Sequence, residues 1–295
     1  MKLSDRLIDP RSPDRRPRRA AYALPTAFTA GNVFLGFVAI LQAFQGAMSA
    51  MGGHYEANSH FEAAAKMIGV AVLLDGLDGR IARMTNTVSD FGREMDSLAD
   101  VITFGIAPAV LAYAWGIQFI QPPIEAIPLD QILRAGYFVC FLFLLCGAAR
   151  LARFNITTNP VPKNPGRPDR KYFVGLPIPS AAGMVAAVVY AFGTAPLRWW
   201  PFAVVWLLLL MLLSYLMVCT WRYPSFKDVN LMRPRSPLTF VLIGSLIYLI
   251  WVASQPVLLA LAVVYVGSGI VLRLGGIIRR RLRHTPRPHP EHQVG

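Results

Sequence analysis

LDGLDGRIARMTNTVSDFGREMDSLAD, Leu74–Asp100, joins two long apolar blocks and sets Asp75, Asp78, Asp96 and Asp100 at their facing ends. Asp75 and Asp78 are three residues apart, and Asp96 and Asp100 are four apart. On a helix each pair therefore shares a face. The first pair closes one apolar block and the second opens the next, with a short loop between them. The two faces can meet. A carboxylate inside a bilayer core costs roughly 2.5–3.5 kcal/mol on insertion scales, and four that converge also repel one another. One or two divalent cations relieve both problems. Oxygen-only ligands suit Mg²⁺ or Mn²⁺, and the segment has no His or Cys to suggest zinc.

The flanking blocks are those of a membrane protein. Of 295 residues, 55% are hydrophobic and 15% charged, against about 25% charged in soluble domains. The apolar residues form blocks near the roughly 20-residue length that spans a bilayer. We expect an all-α integral membrane protein with about eight spans. They run over Pro25–Gln45, Phe61–Arg83, Met95–Ile117, Ile132–Phe154, Pro179–Gly193, Trp200–Thr220, Leu238–Ser254 and Val257–Arg273. The last two, parted by Gln255 and Pro256, can also be read as one re-entrant pair.

Charge tests the count. The net charge is +13, but it gathers at the ends of apolar blocks, as orientation signals do, and not on a nucleic-acid-binding face. With the N-terminus in the cytoplasm and eight spans, every Lys and Arg except Lys66, Arg134 and Arg198 falls in a cytoplasmic segment. Residues 1–24 and 276–295 are then basic cytoplasmic tails around a transmembrane domain, residues 25–275. The first helix reads as retained, since no small-residue cleavage site follows it. All four carboxylates would lie near the cytoplasmic leaflet, Asp75 about 12 Å along the helix axis from Arg83. Cys140, Cys146 and Cys219 read as buried apolar side chains. Lys66 reads as snorkelling, and Trp199, Trp200 and Trp206 as an interfacial belt. Gly76, Gly79 and Gly92, interleaved with the acids, fit close approach of a ligand or of a neighbouring helix.

The pattern Asp75-x2-Asp78-Gly79-x2-Ala82-Arg83-x8-Gly92-x3-Asp96-x3-Asp100 resembles the signature of the CDP-alcohol phosphotransferases at all of its fixed positions. Flanking segments look like the CDP-diacylglycerol–serine O-phosphatidyltransferases, the phosphatidylserine synthases. They are LPTAFTAGNVFLGF from Leu24, DSLADVITFGIAPA from Asp96, RLARFN from Arg150, YFVGLPIPSAAG from Tyr172 and RYPSFK from Arg222. The likeness runs from Pro25 to Lys227, leaving the last two spans and the tails without a motif.

The resemblance implies a six-helix family core, often a homodimer, here with two further C-terminal spans. It implies that Asp75, Asp78 and Asp96 ligate Mg²⁺ or Mn²⁺. Asp100 would be the general base and also touch metal. Gly79, Ala82, Arg83 and Gly92 would line the CDP site, with Thr29 and Asn32 helping to close it. The reaction would join CDP-diacylglycerol and L-serine to give phosphatidylserine and CMP. Serine's carboxylate wants a cation, and Arg150, Arg153, Arg222 and Lys227 are candidates for it or for the lipid phosphate. Each is equally a topology-setting charge. Asn155 either meets substrate or caps its helix. The partners expected are these substrates, membrane lipids and a second copy, and no nucleic acid. The expected location is a prokaryotic plasma membrane, with the active site cytoplasmic.

Three rivals stand beside this reading. A sister enzyme could use glycerol phosphate or inositol phosphate, and an archaeal-type ether lipid could be the donor. An ion or metal transporter would also hold intramembrane acids, but nearer the midplane and often in two related halves. A purely structural membrane protein has no use for four buried acids.

Overall fold

The structure is a computed structural model that describes residues 19–54, 59–85, 90–121, 129–158, 172–193, 195–224 and 237–282. Within them it forms eight helical rods. These are α1 (Arg19–Met51), α2 (Ser59–Thr85), a composite rod, α5 (Leu129–Thr158), α6 (Ile178–Phe192), α7 (Trp200–Val218), α8 (Pro237–Val252) and α9 (Ser254–Leu282). The composite rod is α3 (Asp90–Asp100), a π-helix (Val101–Ile106) and α4 (Ala107–Gly116). Two short strands accompany the helices of this all-α membrane fold. β1 (Tyr172–Val174) and β2 (Arg222–Pro224) pair antiparallel, with Phe173 opposite Tyr223.

Five helical segments are long and apolar enough to cross a membrane: Ala27–Met51, Gly92–Gly116, Leu129–Ile156, Trp200–Val218 and Ser254–Arg273. α6 is apolar but only 15 residues long. α2 carries Glu62, Lys66, Asp75 and Asp78, so its composition is the least apolar where the carboxylates lie. α9 has 29 residues, about 43 Å at 1.5 Å per residue, too long for half a crossing. The break falls at Ala253, and Pro256 lies in the first turn of α9, where its missing N–H is no loss.

The core is built of small residues that let helices approach closely. α1 buries Ala39, Ala43, Ala47 and Ala50 at helical spacing against Phe61, Ala64, Ile68 and Ala71 of α2. Its other face exposes Phe34, Phe37, Phe44 and Met48. A continuous exposed apolar face of this kind suits lipid, not water. The composite rod is central: its π segment touches α1, α2, α5 and α6. α7 packs on α5, and α9 packs on α6 and β2.

One expectation about polar side chains on the helices is corrected, that for Trp206, while the surroundings of Lys66 are now defined. Trp206 is buried, donates Nε1–H to the Ala112 carbonyl at 3.1 Å and meets Trp115 edge-on, so it joins α7 to α4 and is not part of an interfacial belt. Trp199 is exposed, and it pairs with Phe202. Lys66 has a local partner, Glu62 one turn earlier at 2.6 Å, and lies over the Tyr190 ring. The three cysteines are free thiols.

Candidate active site

α2 and α3 bring the carboxylates together. One oxygen each from Asp75, Asp96 and Asp100 lie within 4.8 Å of one another. Asp75 and Asp96 are half-buried and Asp100 is buried. Three carboxylates this close, away from bulk water, are a hard-oxygen donor set that fits a divalent cation such as Mg²⁺ or Mn²⁺. Asp78 belongs to α2, but its side chain, like those of Ala82 and Arg83, lies outside the described residues, as does the surround of Gly79. Among the described residues nothing lies within 4 Å of where a Gly76 side chain would project.

The π-helix begins at the residue after Asp100. A π turn holds more than 3.6 residues, so it shifts the register between the carboxylate face of α3 and the buried face of α4. Such turns are frequent at functional sites. Its position is fixed from α1: Thr103 Oγ1 donates to the Asn32 carbonyl at 3.0 Å. One turn on, Gly36 lies so close that a Cβ there would be 2.7 Å from Thr103 Oγ1. Only glycine lets the two backbones approach so closely.

Thr29 and Asn32 of α1 are both buried. The Asn32 amide is fully buried, and neither its nitrogen nor its oxygen has a hydrogen-bond partner among the described residues. A buried amide left so is costly, and a ligand that engaged it would remove the cost.

α5 closes the other side. Arg150 is 8% exposed and within electrostatic reach of Asp100 and of Tyr265 on α9. Its Nε has no hydrogen-bond partner among the described residues. Arg153 is differently employed. It donates to the Val218 carbonyl at 2.9 Å and to the Val174 carbonyl at 3.4 Å. It thereby ties the end of α7 to β1. Asn155 does not cap its helix, which runs on to Thr158. Its Nδ2 donates to Ser97 Oγ at 2.9 Å, and Ser97 donates to the Arg93 carbonyl. Asn155 thus braces α3 beside Asp96. Gly92 is half-buried at the head of that helix. Arg222 is in β2 with its side chain outside the described residues, and Lys227 lies outside them altogether.

Ser97, Thr103 and Tyr265 are residues that the motifs did not single out. Ser97 and Thr103 stand inside the run DSLADVITFGIAPA and could have been noticed as polar residues in an apolar block. Tyr265 carried no signal, since nothing in the sequence of α9 says which element it faces.

The family model described as CDP-alcohol phosphatidyltransferase matches residues 22–211. The chain belongs to the CDP-alcohol phosphatidyltransferase family. Its matched region holds the three clustered carboxylates together with Thr29, Asn32 and Arg150, and stops short of β2, α8 and α9. Among curated proteins, the chain is 38% identical over 215 residues to a CDP-diacylglycerol–serine O-phosphatidyltransferase of Helicobacter pylori. That match covers 72% of this chain and 77% of the relative. It is 31% identical over 208 residues to a protein of the same name from Bacillus subtilis, covering 69% of this chain and 91% of that one. An archaetidylserine synthase of Methanothermobacter thermautotrophicus is 35% identical over 167 residues, 56% of this chain and 57% of that protein. The chain is an enzyme of an integral-membrane, phospholipid-synthesising kind.

Proposed function

We propose that this enzyme transfers the phosphatidyl group of CDP-diacylglycerol to L-serine, giving phosphatidylserine and CMP. The observation that carries the mechanism is the meeting of Asp75, Asp96 and Asp100, with Asp100 buried and within electrostatic reach of Arg150. Serine is favoured as acceptor because it is named in relatives that otherwise differ in their lipid.

Asp75, Asp96 and Asp100 would hold Mg²⁺ or Mn²⁺, with Asp78 as a further ligand. Bound there, the cation would offset the charge of the donor pyrophosphate and of the departing CMP. Asp100 takes the proton of the serine hydroxyl. The serine oxygen then bonds to the phosphorus that carries the diacylglycerol, and the bond from that phosphorus to the CMP oxygen breaks. Arg150 balances the negative charge beside Asp100. Thr29, Asn32, Gly79, Ala82, Arg83 and Gly92 would line the CDP site, and the unsatisfied Asn32 amide suits a polar ligand. Arg153 and Asn155, by their contacts, hold the site in shape more than they meet substrate. Arg222 and Lys227 remain candidates for the lipid phosphate.

We read the eight rods as eight spans in a prokaryotic plasma membrane. Both basic tails and the carboxylates face the cytoplasm, and the enzyme works as a homodimer among membrane lipids. The positive-inside distribution supports the orientation.

Purified enzyme given CDP-diacylglycerol and Mn²⁺ or Mg²⁺ should release CMP when L-serine is added, and not with glycerol 3-phosphate or inositol phosphate. Release with a phosphorylated acceptor instead would keep the chemistry and refute serine. A transporter would move metal into vesicles without releasing CMP.

A further inference from the structure

α9 lies outside the region matched by the family model, yet it reaches the site. Two side-chain pairs set its register on α6. Tyr190 Oη and Ser254 Oγ are 2.7 Å apart, and the Tyr265 hydroxyl lies within hydrogen-bonding reach of the Ser180 side chain. From Ser180 to Tyr190 is ten residues along α6, and from Ser254 to Tyr265 is eleven along α9. These are about 15 and 16.5 Å of helix, so the helices are antiparallel and matched in length between the two pairs. Tyr265 is thereby delivered to the carboxylate end of the bundle.

One turn further, Gly269 lies on the same face. A side chain there would strike the Tyr223 ring, so its absence lets β2 seat against α9. The Tyr223 and Tyr265 rings then stand 6.0 Å apart. Burial pushes the Tyr223 hydroxyl well above the ordinary phenol range, which keeps it a donor, and it has no partner among the described residues.

Tyr265 and Arg150 are within electrostatic reach of each other, and Arg150 of Asp100. Serine's hydroxyl and carboxylate are separated by only two carbons. A group that takes the hydroxyl proton and a group that holds the carboxylate must therefore be neighbours, as Asp100 and Arg150 are. We propose that Tyr265 of α9, beside Arg150, is an acceptor-specificity residue that hydrogen-bonds the carboxylate of an amino-acid acceptor. This rests on the serine reading above. Arg150 supplies charge, and the phenol supplies a directed donor.

The test is steady-state kinetics of the full-length Tyr265→Phe enzyme. KM for L-serine should rise about tenfold, the value of one hydrogen bond to a charged group. Turnover at saturating serine and KM for CDP-diacylglycerol should stay within about threefold of the starting enzyme. L-serinamide, which lacks the carboxylate, should be used equally well by both. Ser180→Ala, which removes only the partner of the phenol, should shift serine KM the same way by less, and it serves if Tyr265→Phe fails to fold. Loss of turnover with unchanged serine KM, or an equal loss with serinamide, would overturn the proposal and leave the serine reading intact. Failure of the unsubstituted enzyme to use serine would overturn both.

Discussion

Asp96 and Asp100 are one helical turn apart, and that spacing alone put their carboxylates on one face of α3. What the spacing could not supply is the brace that points the face inward. Ser97 is held by Asn155, 58 residues away, and Thr103 bonds Asn32, 71 residues away. No local pattern marks such pairs, because each partner is an ordinary polar residue in its own helix. Asn155 was legible as a polar residue at a helix end, but its partner was not. Asn155→Ala should lower stability by about 1 kcal/mol, the usual worth of one such bond, measured by thermal unfolding in detergent. It should also reduce CMP release while leaving serine KM within about twofold, because its amide is engaged in bracing α3 through Ser97.

Among the elements, the helices could be read from apolar blocks, while the π-helix and the β1–β2 pair could not. A π turn has no sequence signature of its own. It is kept here by Thr103 against Asn32 and Gly36 of α1. The strands are three residues each, too short for any periodicity, and are tied by Arg153 between Val218 and Val174. Arg153 was legible as a charge near a helix end and as part of a family-like run. Its use on backbone carbonyls depends on how α7 ends. Thr103→Val keeps the shape and removes the bond to Asn32. We expect a loss of about 1 kcal/mol and a severalfold fall in turnover, read from thermal unfolding and CMP release on the same preparation. Unchanged turnover would mean that the α1 contact does not position Asp100.

At the scale of the whole molecule, block length anticipated the long apolar helices, five of which among the described residues are long enough to cross a membrane, because such blocks follow from the cost of putting polar groups in hydrocarbon. The place of α9 against α6 and β2 was hidden, since an apolar helix can turn any face to a neighbour. The orientation makes its own prediction. Cysteines placed in each tail of a cysteine-free enzyme should react with an impermeant thiol reagent only after the cytoplasmic side of oriented vesicles is opened. Labelling of one tail from each side would refute the eight-span arrangement. The central claim is that the carboxylate cluster drives serine-dependent transfer. Its most direct test is CMP release from CDP-diacylglycerol and L-serine by the starting enzyme and by Asp100→Asn, each titrated with Mn²⁺ after chelation. We predict no release without the cation, restoration on its return, and a loss of at least about a hundredfold in the variant at every Mn²⁺ concentration. Release by Asp100→Asn at the starting rate, or by the chelated enzyme, would contradict that claim.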